Sequence, residues 1–198
     1  MERSQIWKAS VTKAFYGFLA YKLLGGVVGA IVGLASGAAG VASIINGGGG
    51  GALLGPVLVG ILALAGYVYY FLGIKGMKES AAETPMGDGT AKVYKGAMLG
   101  LVGTLIAIIP LLGFIGTILE IIGFVFMMMG FNSLRQLSLN ELAAKGAHQL
   151  WLMMVLSVVS AVVSIIPLVG NILSLILSIV ILALAFLGWR NFANSSLE

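Results

Sequence analysis

The stretch Ile109–Arg135 reads IPLLGFIGTILEIIGFVFMMMGFNSLR, and its reading decides the fold. A proline beside a short turn opens it. An apolar run follows that is long enough to cross the hydrocarbon of a bilayer, which takes about 20 residues. A polar, basic tail closes it. The same frame occurs at Gly55–Lys78, GPVLVGILALAGYVYYFLGIKGMK, and at Ile166–Phe192, IPLVGNILSLILSIVILALAFLGWRNF. Each copy ends on Leu-Gly or Met-Gly, then a bulky residue, then a polar or basic one. Pro110 with Gly113, and Pro167 with Gly170, suit a tight turn that starts a new helix. The segments ahead of the copies, FYGFLAYKLLG, AKVYKGAMLG and LAAKGAHQLWL, each carry a lysine near one end. The chain thus reads as a tripled αα-hairpin, with repeats at about 14–78, 91–135 and 143–192 in one transmembrane domain spanning 1–198.

Composition agrees with that reading. Of the 198 residues 60% are hydrophobic and 9% charged, and the mean hydropathy is +1.09. A water-soluble domain of this length needs far more charge to cover its surface. The expected fold class is therefore an all-α integral membrane protein. Its six transmembrane helices fall at 17–45, 53–74, 93–109, 112–132, 146–166 and 168–189, the third weakened by Lys92 and Lys95. The connections NGGGGGALLGP, IPLLG and IPLVGN hold no charge, while Arg3, Lys8, Lys13 and Lys22 precede or open the first span and the other lysines and arginines fall between alternate spans and after the last. The positive-inside rule then puts both termini in the cytoplasm and the protein in the cell's inner, or plasma, membrane. The segment KESAAETPMGDGT is expected as an exposed inner loop. Residues 1–16, with Trp7, Val11 and Phe15 at helical spacing, suit a short amphipathic helix on the inner surface, or a lead-in continuous with the first span.

Glu120 is the residue with the most chemistry. About 1.5 Å per residue from the Pro110 turn sets it roughly 12 Å into the membrane. A charge there costs at least about 2.5 kcal/mol, so the acid needs its proton, water or a polar partner. No Lys, Arg or His is expected at its depth. Thr117 lies on the same face, and Gly116 and Gly123 leave room for a close neighbour. Glu120 and Thr117 are the candidate proton or cation site; the alternative is a neutral acid that only fastens the bundle. In the last hairpin Ser157, Ser160 and Ser164 share one face and Asn171, Ser174 and Ser178 another. Folding about Pro167 pairs 164 with 171, 160 with 174 and 157 with 178, and the same logic pairs Thr104 with Thr117. This polar seam reads better as an interhelical zipper than as a water path. Gly25, Gly29, Gly33 and Gly37 form a G-x-x-x-G ladder that suits close helix packing. The ladder together with a mid-membrane acid resembles the proton-translocating rotor-ring subunits of ATPases, and the apolar hairpin turns depart from the polar loop of those subunits.

Other classes find no support. Cysteine is absent, which excludes disulfides and thiolate metal sites. His148 is a lone histidine near Trp151, an interfacial anchor rather than a metal ligand. No nucleophile–base pair, metal cluster or cofactor fingerprint occurs, so neither an enzyme nor a cofactor is expected. The expected partners are the lipid bilayer and a second protomer or another membrane protein, not nucleic acid. The expectation is a non-enzymatic accessory or structural membrane component packed through small residues. The alternative is a small transporter or channel that uses Glu120.

Overall fold

A computed structural model of the chain describes residues 3–28, 54–137, 141–166, 169–195 and 197. They form α1 (Arg3–Lys22), α2 (Leu54–Ala81), α3 (Gly87–Ala107), α4 (Gly113–Leu137), α5 (Glu141–Val163) and α6 (Val169–Ala193). A π-helical turn, Leu23–Val28, continues α1, and a 3-10 turn, Pro110–Leu112, leads into α4. The described chain is helical with no strand. Four stretches, Val57–Ala81, Gly113–Gln136, Glu141–Val163 and Ile172–Ala193, are long and apolar enough to cross a membrane, as befits a membrane protein.

Local chemistry explains the ends. Ile109 is extended, as a residue before proline prefers, and its carbonyl accepts from Leu112 to close the turn ahead of α4. Asp88 and Glu141 stand in the first turns of α3 and α5, and Lys78, Arg135 and Arg190 in the last turns of α2, α4 and α6. Each sign complements the helix dipole. The segment expected as a long exposed inner loop is shorter: α2 runs to Ala81, α3 starts at Gly87, and Ser80, Met86 and Thr90 are buried. Its hydroxyls hold the turn, Ser80 donating to Gly76 and Met77 carbonyls and Thr84 to the Ala81 carbonyl.

Consecutive helices pair antiparallel. Gly17 lies against Tyr70, Ala14 against Gly73 and Gly66 against Tyr21, so α1 and α2 run opposite ways. In α3 and α4 a seven-residue spacing of glycines meets its mirror. A Cβ on Gly103 would lie 2.7 Å from the Gly116 carbonyl oxygen, one on Gly123 2.6 Å from that of Gly96, and one on Gly130 2.8 Å from that of Gly89. Backbone thus packs on backbone along the pair, the close approach that small residues allow. Gly188 meets Gly146 and Leu150 in the same way between α5 and α6. The Leu-Gly and Met-Gly endings of the three copies, Gly73, Gly130 and Gly188, are therefore contact points within their helix pairs.

The pairs close into a ring. α2 touches α3, α4 touches α5, and α6 returns to α1, while among the described residues the helix backbones do not approach one another across the ring and only side chains meet there. Buried side chains gather at the end where the basic residues lie. There Trp189 is ringed by Phe18, Tyr70, Phe131 and Phe192, with centroids 5.8 to 6.3 Å apart. Below them Trp7 packs on Phe192 and donates its indole N–H to Ser195, at 3.2 Å. This aromatic plug seals the charged end. At the turn end the helices present apolar side chains outward; Leu111 is 94% exposed and Ile165 78%.

The N-terminal helix is unbroken from Arg3 to Lys22, with no break at residue 16 or 17. Trp7, Val11 and Phe18 on it are buried in the protein core rather than laid against a surface, because α2 and α6 flank them. Of the expected glycine ladder, Gly25 faces Ala63; Gly29, Gly33 and Gly37 lie outside the described residues.

Candidate functional site: a central cavity

The ring surrounds a partly open cavity of about 210 Å³ to which all six helices contribute. On α4 the stripe Glu120, Phe124, Met127 and Phe131 recurs at helical spacing and faces it. The floor, toward the charged end, is apolar: Phe18, Phe131, Leu150, Met154 and Trp189. The layer above is polar. Tyr21 and Lys22 come from α1, Tyr67 from α2, Thr104 from α3, Glu120 from α4 and Ser157 from α5.

Each polar group has an identifiable support. Thr104 donates its hydroxyl to Glu120 Oε1 at 2.9 Å. Gly103, one residue earlier, lets Glu120 approach, since a Cβ there would stand 2.8 Å from Glu120 Cγ. Tyr67 donates to the Ala97 carbonyl at 3.2 Å, and its hydroxyl occupies the space that a side chain on Gly100 would fill. Tyr21 and Tyr67 meet edge to face, with centroids 4.9 Å apart, and Lys22 Nζ stands 5.6 Å from the Tyr21 ring centroid. Tyr70 donates to Met127 Sδ at 3.6 Å. The Trp189 indole N–H is buried and has no acceptor among the described residues. A buried donor normally has one.

The charges are the telling feature. No other lysine, arginine or described acid lines the cavity, and those in the first and last helical turns mark the charged end of the ring. Lys22 and Glu120 stand apart from that end, have opposite sign and line the same cavity. They do not form an ion pair with each other. Lys22 was expected at the mouth of the first span, and no basic group at the depth of Glu120. Because α1 already begins at Arg3 and packs Gly17 against Tyr70, Lys22 reaches the Glu120 layer instead.

The other expected site residues divide. Thr117 does not line the cavity; it donates back to the Gly113 carbonyl at 3.0 Å. Thr104 donates to Glu120 and Thr117 to its own helix, so no hydrogen bond joins the two threonines. In the seam, Ser174 donates across the gap to the Ser160 carbonyl at 3.3 Å, in the expected register. Ser157, Ser164 and Ser178 instead satisfy their hydroxyls on their own helices, at Met153, Ala161 and Ser174. A serine hydroxyl in an apolar setting reaches the preceding turn more readily than a neighbouring helix. The Asn171 side chain lies outside the described part. His148 stacks on Trp151, and the Arg135 guanidinium lies over the same ring, 3.9 Å from its centroid. Among the described residues no three His, Cys, Asp or Glu side chains come together as metal ligands.

Comparison of the chain with protein-family models, with curated proteins and with solved structures finds no match.

Proposed function

We propose that the chain is a six-span membrane protein of three helical hairpins, with both termini cytoplasmic in the cell's inner membrane, whose central cavity binds a small polar solute for transport. The observation that carries this reading is the convergence of Lys22 and Glu120 on one cavity lined by all six helices. An intramembrane charge is costly, and such charges face bundle interiors or water-filled cavities and mark solute pathways. Two of them, unpaired with each other in a cavity with an aromatic floor, suit a binding site better than a fastening. Hairpin repeats around a midplane site are a common transporter plan. The aromatic plug of Trp7, Trp189 and Phe192 is the closed side of the site, which makes this an arrangement open away from the charged end.

An accessory role rests on the scarcity of polar groups and on uncharged turns. That scarcity gives the two opposite charges their weight, since nothing in packing alone calls for them. The test is osmotic swelling of proteoliposomes in a panel of small cations, anions, zwitterions and polyols. Entry of at least one class above protein-free vesicles, reduced in Glu120→Gln and in Lys22→Met, supports transport. If no class enters under any gradient, the proposal fails and the accessory reading takes its place.

A further inference from the structure

Resting on that solute-site reading, we infer that the ligand is a small amphipathic zwitterion, with its ammonium and carboxylate at one end and an apolar body at the other. The layering of the cavity carries this. Lys22 and Glu120 belong to the polar layer, whereas Phe131, Met154 and Trp189 form the floor. A simple cation would meet Glu120 and also the repulsion of Lys22; a simple anion would meet the converse. In a low-dielectric site like-charge contact is a strong discriminator. A ligand with both charges offers a counter-charge to each of the two side chains, both of which are exposed to the cavity mouth rather than sealed in the core.

Two further features agree. Glu120 is held by the Thr104 hydroxyl at 2.9 Å, so its carboxylate is oriented before a ligand arrives. Lys22 has no hydrogen-bond partner within the described protein; its ammonium stands over the Tyr21 ring. The stretch 29–53 that follows α1 contains no acid to pair with it. Size sets the remaining limit. A dry cavity of about 150 Å³ admits benzene, with about six heavy atoms, so one of about 210 Å³ admits a molecule of about eight or nine. An α-amino acid with a branched aliphatic side chain has that size and polarity, and its side chain would fill the floor.

The experiment is calorimetric titration of the purified full chain in nanodiscs with L-leucine, isoamylamine and 4-methylpentanoate, which share one body and differ in charge. Leucine should bind at least tenfold more tightly than either relative. Lys22→Met should bring isoamylamine level with leucine, and Glu120→Gln should do the same for 4-methylpentanoate. Lys22→Arg, which keeps the charge, should retain the preference for leucine. If the amine or the acid binds as tightly as leucine to the unaltered protein, the zwitterion assignment is overturned while a solute site stands. Swelling by other solutes without binding of any of the three overturns it too. Absence of both binding and swelling overturns this inference together with the reading on which it rests.

Discussion

A backbone-on-backbone contact between α3 and α4 gives the sharpest prediction. Gly123 on α4 faces the Gly96 carbonyl and the Gly100 amide of α3. A methyl group there would stand 2.6 Å from the oxygen and 2.9 Å from the nitrogen. Comfortable separations are about 3.5 Å or more, so Gly123→Ala requires the helices to part by about 0.5–1 Å. Overpacking of this kind costs about 1–3 kcal/mol. Alanine is also the better helix former by about 1 kcal/mol, which offsets part of that cost. Gly60→Ala isolates the offset, because nothing among the described residues lies within 4 Å of a Cβ at Gly60. Thermal unfolding in detergent should therefore place Gly123→Ala below Gly60→Ala by about 1–3 kcal/mol, or roughly 2–12 °C in Tm for a chain of this size. Equal melting of the two variants would refute the backbone-on-backbone packing of α3 and α4. The register that brings Glu120 to Thr104 would fall with it.

Two other substitutions test the ring elsewhere. Ser195, 1% exposed, accepts the Trp7 indole N–H, so Ser195→Ala leaves that buried donor without a partner; thermal melts should show a loss of about 1–3 kcal/mol. Asn191 donates to Gln149 at 2.7 Å between α5 and α6, and a double-mutant cycle with Asn191→Ala and Gln149→Ala should give a coupling of about 0.5–1.5 kcal/mol, whereas additive losses would contradict the contact.

The helix-forming segments were legible in the sequence because their signals are local. Prolines at the turns, uncharged connections on one side and basic residues on the other can each be read within a few positions. The cavity was not legible for a physical reason. In a soluble helix the apolar stripe names the inward face. In a membrane helix the outward face is apolar too, so Glu120, Phe124, Met127 and Phe131 do not stand out from their neighbours. Lys22 was misplaced because hydropathy starts a span where the polar residues stop, whereas α1 begins at Arg3 with Trp7 and Val11 buried. Thr104 is legible as a polar residue on its helix, but whether it meets Thr117 or Glu120 depends on helix rotation, which the pattern of residues does not specify. One sequence signal does carry the register. Gly89, Gly96 and Gly103 match Gly116, Gly123 and Gly130 in spacing, and that match fixes the register of α3 on α4.

The central claim is that a water-accessible cavity lies inside the ring, and thiol labelling tests it most directly because the natural chain has no cysteine. Thr104→Cys and Ser157→Cys put a single thiol in the polar layer; Val158→Cys, next along α5 and 46% exposed, puts one on the lipid-facing side. In proteoliposomes of known orientation, a small charged methanethiosulfonate should modify the first two from the turn side and leave Val158→Cys unmodified. It should not reach them from the charged side, past Trp7 and Trp189. Equal reactivity of Ser157→Cys and Val158→Cys, or no reaction at either cavity position, would contradict the account.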